Sequence, residues 1–452
     1  MVRSLITMGI RRVFPGITLR YRRLIDSINA ILSNSVHQQS QIDSLSSQLN
    51  DIRQKLLVVS QSIHHSERLI MKRKAPWRCV FLVHSVEIWS SLHAVWLAMS
   101  KDPRFDPIVV TIPRKYPGSE KLCNEENTHN SMKSKGIPHI RIISGDLFDD
   151  LSTLRALEPQ IIFRQSHWDA DISPAFAAEW LGFAKIYYID YSIAPIHVSG
   201  FRASPLYRRA SGIFIANDAI REFMPSTLPV ITSGHPRVDY LCHAEPIWPI
   251  NTGNNFKIIW SAHHSTGTEW TNFGTFWMVK SFMLNLAQVH PEIDFLFSPH
   301  PALVSQMQSI SNTSSSEFDV FCARWCALPN TGVLTNGDYA GPFKASDLLI
   351  VDGISFLLEY QLNQKPVLFL EREDHSPFNA FGVHVKKGVH PIPAEQPEML
   401  VPWLDHFSSG GKDPLQNEQK ALCETYFNQQ RVPEAILGKV RISRSFLPKL
   451  TR

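Results

Sequence analysis

Several things that decide function early are scarce in this chain. It has no run of about 18 consecutive apolar residues, the length a membrane-crossing helix requires. Its first residues carry neither a long apolar core nor a small-residue cleavage site. Cysteine is sparse: Cys79, Cys123, Cys242, Cys322, Cys326 and Cys423 are scattered through 452 residues, and the one close pair lacks the second pair of a structural zinc site. Free thiols in a reducing compartment, no metal, and residence in the cytoplasm are the expectations. Net charge is also small, +4 over the whole length. Tryptophan and phenylalanine sit in apolar runs rather than among Lys and Arg, which argues against a nucleic-acid partner. What remains is a chain with 44% hydrophobic residues, enough for two or three domains with sizeable cores.

The first 23 residues are peculiar. Arg3, Arg11, Arg12, Arg20, Arg22 and Arg23 meet no acidic residue and alternate with Leu5, Ile6, Met8, Ile10, Val13 and Phe14. Residues 1–23 therefore read as a basic amphipathic segment suited to an anionic membrane surface, which would place the protein on the inner face of the cell membrane. Residues 24–72 lack proline and glycine. There Leu24, Ile28, Ile31, Ser35, Gln38, Ile42, Leu45, Leu49, Ile52, Leu56, Val59 and Ile63 follow a 4,3 spacing, the mark of a coiled coil. Ser35 and Gln38 interrupt the seam and fix its register, so a parallel homo-oligomer is expected.

After the breaker Lys72-Arg73-Lys74-Ala75-Pro76, short apolar runs alternate with helical patterns. Residues 79–83, 108–112, 140–143, 161–163 and 186–189 read as buried strands of a first α/β domain, 76–229. A second set, 230–401, starts at Val230-Ile231-Thr232 and includes residues 257–260, 294–297 and 348–351; a helical segment, 402–452, follows. The fold class is α/β, with two doubly wound Rossmann-like domains facing a cleft lined by loops after the strand C-termini.

Four segments of the second half place polar residues just after a strand: Ser233-Gly234-His235-Pro236-Arg237-Val238-Asp239, Ser261-Ala262-His263-His264-Ser265-Thr266, Ser298-Pro299-His300-Pro301, and Asp352-Gly353-Ile354-Ser355. The last three are expected to share one crevice. Ser355 falls near a helix N-terminus, where unpaired N–H groups favour an anion or the hydroxyl simply caps the helix. His300 is the first choice for a phosphate contact, and His263 and His264 rank equally after it. Arg237 and Asp239 either support the donor site or form an ion pair that braces the linker between domains.

These segments carry a resemblance. The order GHPRVDYL, WSAHHST, FSPHP and SDLLIVDGIS is similar to the CDP-glycerol glycerophosphotransferase family, of the teichoic acid primase and polymerase type, over residues 188–371. The chain matches that family's last block with Ser346, Asp347, Leu349, Ile350, Asp352 and Ser355. It departs at Gly353-Ile354 and at His263-His264-Ser265-Thr266, and the family's Trp-His-Gly is replaced by Tyr188-Ile189-Asp190-Tyr191. The resemblance implies a GT-B fold and a transferase needing no cofactor. Its donor would be CDP- or UDP-linked, its acceptor a lipid-linked or growing surface glycan. His263, His264, Ser265, Thr266, His300, Asp352, Gly353 and Ser355 would bind the donor, with Asp352 on a donor hydroxyl. The family histidine that would serve as base is missing, so Asp190, His197 or His84 would take the acceptor proton. The alternatives are a nucleotide-sugar epimerase of similar build and a non-catalytic coiled-coil scaffold for glycan assembly.

Overall fold

A computed structural model describes residues 23, 24, 26–32, 38, 39, 41–49, 51, 52, 56, 59, 76–115, 121–196, 204–265, 272–300, 302, 303, 311–334, 338–429 and 431–440. Residues 1–70 form one compact unit and residues 71–452 another. In the first unit the described residues from 23 to 59 are helical and exposed. The basic segment up to Arg22, and the seam positions Ser35 and Ile63, lie outside the described residues.

In the second unit the apolar runs become parallel strands, each inner one buried on both faces and therefore almost continuously hydrophobic. Strands β1 (Trp77–Val83), β2 (Phe105–Thr111), β3 (His139–Arg141), β4 (Ile161–Arg164), β5 (Lys185–Ile189), β6 (Gly212–Ile215) and β7 (Val230–Thr232) form a sheet of order β3-β2-β1-β4-β5-β6-β7. Strands β8 (Phe256–Ala262), β9 (Ile293–Pro299), β10 (Thr331–Val333), β11 (Leu348–Val351), β12 (Val367–Glu371) and β13 (His390–Pro393) form a second, of order β10-β9-β8-β11-β12-β13. Both are doubly wound, so each has a switch point where neighbouring strands send their connections to opposite faces: β1 and β4 in one sheet, β8 and β11 in the other. Ligands of such sheets bind in the crevice at that point.

Aromatic packing supports each sheet. Phe81 and Phe163 stack on adjacent strands with centroids 4.7 Å apart. In the second domain the fully buried Trp260 meets Phe297 at 4.5 Å and Trp325 at 5.4 Å.

Two boundaries differ from the sequence reading. Val230-Ile231-Thr232, expected to open the second domain, is the edge strand of the first sheet, where Ile213 pairs with Val230 and Ile215 with Thr232. The described helices after residue 399 serve both domains. The helix Leu400–Ser408 buries Leu400, Leu404 and Phe407 in the second domain's core, whereas the helix Val432–Lys439 buries Val432, Ile436 and Leu437 against Phe81, Leu92 and Phe163 of the first. Their apolar faces find different partners, so the two domains are tied together twice.

Candidate functional site

The second-domain wall of the cleft is built on the turn after β8. His263 donates its backbone N–H to Asp352 Oδ1 at 2.6 Å, and Thr275 donates its N–H at 2.6 Å and its hydroxyl at 2.9 Å to Asp352 Oδ2. Asp352 directly follows β11, beside β8, so this carboxylate fixes the turn at the switch point. It is fully buried, and burial pushes its pKa up to about 6 against the pull of those donors. Asp352 thus lies beneath the crevice floor with both oxygens engaged. The contact with a donor hydroxyl expected of it is not made available by this geometry, because the side chain is fully buried and both its oxygens are held by the neighbouring turn.

The turn also orients the rings. Ser265 N–H donates to His263 Nδ1 at 3.2 Å, which makes Nδ1 an acceptor and puts the proton of the neutral ring on Nε2. Ser265 Oγ accepts the N–H of Gly274 at 2.7 Å. Only glycine fits there, since a Cβ on Gly274 would lie 2.1 Å from the Ser265 carbonyl oxygen. Ser265 is therefore a brace of the turn, and Thr266 lies outside the described residues.

His264 and His300 complete a cluster of imidazoles. Ring centroids are 4.2 Å apart for His263 and His264, 4.5 Å for His264 and His300, and 5.6 Å for His263 and His300. His300 follows β9 and accepts the Ala302 N–H on Nδ1 at 3.1 Å, so its Nε2 carries the proton of the neutral ring. The residue is exposed as a whole; desolvation of its ring, with the charges of His264 and Arg114 adding, holds its pKa well below the usual value. Burial lowers His264 to about 4, and its buried Nδ1 has no hydrogen-bond partner among the described residues. At neutral pH His264 and His300 are uncharged N–H donors and acceptors. Gly353 packs near this cluster, since a Cβ there would lie 3.6 Å from His263 Cδ2, and Ser355 is the second residue of the short helix Ile354–Glu359, partly exposed.

The opposite wall comes from the first domain. After burial, the largest cause in each case, the charge of Arg114, just beyond β2, adds to the lowering of His84 and His300 and acts on Asp171 and Tyr191. Arg114 and Asp171 were both missed from sequence. A signal existed for Asp171, which lies in the polar stretch His167-Trp168-Asp169-Ala170-Asp171 beyond β4, at the first sheet's switch point. Asp171 is partly buried, and desolvation raises its pKa. Asp190 follows β5, is partly buried, and is likewise raised, with Ser192 donating its N–H at 3.1 Å. His84 is 2% exposed; burial first, then Arg114 and Arg164, holds it far below its usual pKa. It is sealed rather than open to the cleft. His197 lies outside the described residues.

The segment 233–239 does not join the crevice. Arg237 does brace the domains, but its ion-pair partner is Glu359 at 3.3 Å, not Asp239. The pair is almost completely buried, Arg237 also donates to the Tyr191 carbonyl at 2.7 Å, and Tyr339 Oη bonds Glu359. Burial raises Glu359 to about 7 although Arg237 pulls the other way. Other braces cross the cleft: Asn379 Nδ2 donates to Pro195 O at 2.9 Å, its backbone N–H to Ile196 O at 3.1 Å, and Lys135 meets Asp338 at 3.5 Å. Beside them opens a cavity of about 200 Å³ walled by Glu87, His93, Lys135, Tyr240 and Asp338. No group of three or more His, Cys, Asp or Glu among the described residues is arranged to hold a metal ion, and no described helix is long and apolar enough to cross a membrane.

Comparison with known proteins supports the fold and nothing finer. No family model matches the chain, and no curated protein matches it. Among solved structures, the Staphylococcus aureus MnaA–UDP complex is similar at 12% identity and TM-score 0.55, over 80% of this chain and 95% of that one. A putative UDP-N-acetylglucosamine 2-epimerase from Listeria monocytogenes is similar at 15% identity and TM-score 0.56, with the same coverage. With the two doubly wound sheets, these likenesses establish a GT-B-like arrangement of Rossmann domains.

Proposed function

We propose that the protein is an enzyme acting on a nucleoside-diphosphate-linked sugar, its diphosphate set against His263, His264 and His300 and its sugar facing Arg114 and the first-domain carboxyls. The observation that carries this reading is the convergence of three imidazoles at the second sheet's switch point, one of them with a buried ring nitrogen that has no partner among the described residues, with the charge of Arg114 acting on His300 and His84. Neutral donors fixed by a buried carboxylate, plus one positive charge, can hold a diphosphate without a metal. The UDP in the S. aureus structure supports the same ligand class.

Rearrangement of the bound sugar is favoured over transfer to a glycan. The braces from Asn379 to Pro195 and from Arg237 to Glu359 tie the two walls of the cleft to each other. Inverting a sugar carbon takes a proton from one face and returns one to the other, so it needs two titrating groups. Asp171 and Asp190, both raised by burial, supply such a pair without recourse to the sealed His84.

Incubating the protein with a panel of UDP- and CDP-linked sugars in deuterated water tests this. The expected result is an isomerised nucleotide sugar that has gained deuterium on carbon, with no free nucleotide. Nucleotide release that depends on an added small acceptor would establish transfer instead. Failure of every member of the panel to bind the folded protein would remove both chemistries.

A further inference from the structure

The helical stripe of the first unit is built for more than two strands. We propose that it gathers three or four copies of this chain in parallel and in register. With Ile28 as position a and Ile31 as position d, the described seam residues Leu24, Ile28, Ile31, Ile42, Leu45, Leu49, Ile52, Leu56 and Val59 are each 47–67% exposed, as is Leu32 beside them. At about 100 Å² apiece these ten side chains offer about 1,000 Å² per chain, more than the roughly 800 Å² per partner that a stable complex buries.

The spacing says what covers this face. A strict seven-residue apolar repeat drifts around a straight helix and stays in one line only if the helix supercoils with others of the same period. The flanks make identical copies suitable partners. Positions e and g from 25 to 60 hold Ile25, Ser27, Leu32, Asn34, Gln39, Gln41, Ser46, Gln48, Arg53, Lys55 and Ser60, with no acidic residue. In a parallel, in-register bundle each g residue faces the e residue five further on, giving Ser27–Leu32, Gln41–Ser46 and Gln48–Arg53, so these pairs set no like charges together.

Gln38 sets the direction. In a parallel bundle it meets its own copies, and their amides can bond one another. In an antiparallel one a d residue faces an a residue, so Gln38 would press its amide against Ile28, Ile42, Leu49 or Leu56. The single antiparallel register that brings it to Ser35 sets Ile52, Leu56 and Val59 level with Tyr21, Ile17 and Phe14, which puts Arg53 beside Arg20 and carries the seam across Pro15-Gly16, a helix-breaking pair.

The seam chemistry sets the number. Ile at a with Leu at d favours two strands, whereas Ile at both positions, or Leu at a with Ile at d, favours three or four. Only Ile42/Leu45 has the first pattern; Ile28/Ile31 and Leu49/Ile52 have the second, and Leu56/Val59 also puts its β-branched residue at d. Leu32 at e widens the apolar face further.

Sedimentation of the full chain should give three to four times the monomer mass at micromolar concentration; a monomer or a dimer overturns the proposal. Leu45→Asp with Leu49→Asp should reduce the mass to that of one chain while the tryptophan fluorescence of the α/β unit is unchanged. An assembly that survives both substitutions would place the contact elsewhere and refute it. Leu24→Cys, in a Cys326→Ser background, should form disulfide-linked chains on mild oxidation. Absence of the link in an assembly of full mass would exclude the parallel arrangement.

Discussion

Replacing Asp352 by alanine should damage stability and site together, because one carboxylate serves both. Two backbone N–H groups, of His263 and Thr275, each lie 2.6 Å from its oxygens. Leaving such a donor buried and unpaired costs about 1–3 kcal/mol. The Thr275 hydroxyl can turn to another acceptor, and removing a carboxyl whose burial has raised it to about 6 gives part of the cost back. We expect a net loss of about 3 kcal/mol for Asp352→Ala, and about 2 kcal/mol for Asp352→Asn, which keeps one acceptor but turns its amide against a donor. Urea unfolding followed through Trp260 and Trp325, both fully buried in the second domain, reads the change where it occurs.

The pH dependence has a definite sign. The native pKa of Asp352, about 6, lies above the ordinary 3.8. Its titration therefore contributes stability that is fully present below about 3.8 and is lost as pH rises through 6. The advantage of the native protein over Asp352→Asn should accordingly narrow from pH 4 to 7. Nucleotide-sugar binding should weaken at least tenfold in both variants, because the His263 turn loses its anchor. A stability change below about 1 kcal/mol with unaltered binding would show that the turn is held by something else.

Three further outcomes follow from the same geometry. Arg114→Ala should lower nucleotide-sugar turnover at least tenfold at unchanged urea midpoint, with partial recovery in Arg114→Lys; normal turnover would remove Arg114 from the site. Glu359 has a native value of about 7 against 4.5, so its contribution is present below 4.5 and lost as pH rises through 7. Melting curves should therefore show native protein losing ground to Glu359→Gln across that interval. Gly382→Ala would set a Cβ 1.8 Å from the Ile196 carbonyl oxygen across the cleft, and should part the domains there, read as a lower urea midpoint.

Much of this architecture was legible from apolar periodicity, because a strand buried on both faces has no polar alternation to confuse it. Residues 348–351 were bounded correctly as a strand. Val230-Ile231-Thr232 was assigned to the wrong sheet because three apolar residues do not record which neighbour they pair with. In the site, a polar residue after a strand marked His263, His264 and His300, and these do converge. The same rule was silent on what each residue would touch. Asp352 is spent on the neighbouring turn, and Arg237 pairs with Glu359, 122 positions away, rather than with the nearby Asp239. Such choices depend on the packing of whole domains, and no local pattern in the sequence encodes them.

His264 separates an enzyme from a degenerate scaffold of the same fold. Its buried Nδ1 lacks a partner among the described residues, and an unsatisfied buried polar atom costs about 1–3 kcal/mol. A scaffold gains nothing for that cost, whereas a ligand that occupies the nitrogen recovers it. Leucine is close to histidine in size and carries no polar atom, so His264→Leu should raise stability by about 1–2 kcal/mol in the ligand-free protein. In an enzyme this gain comes with loss of nucleotide-sugar binding, and the stabilisation that ligand gives the native protein disappears from the variant's melting curve. A variant that is more stable and still binds as tightly would detach His264 from the ligand; one that is less stable would show that the nitrogen is already satisfied.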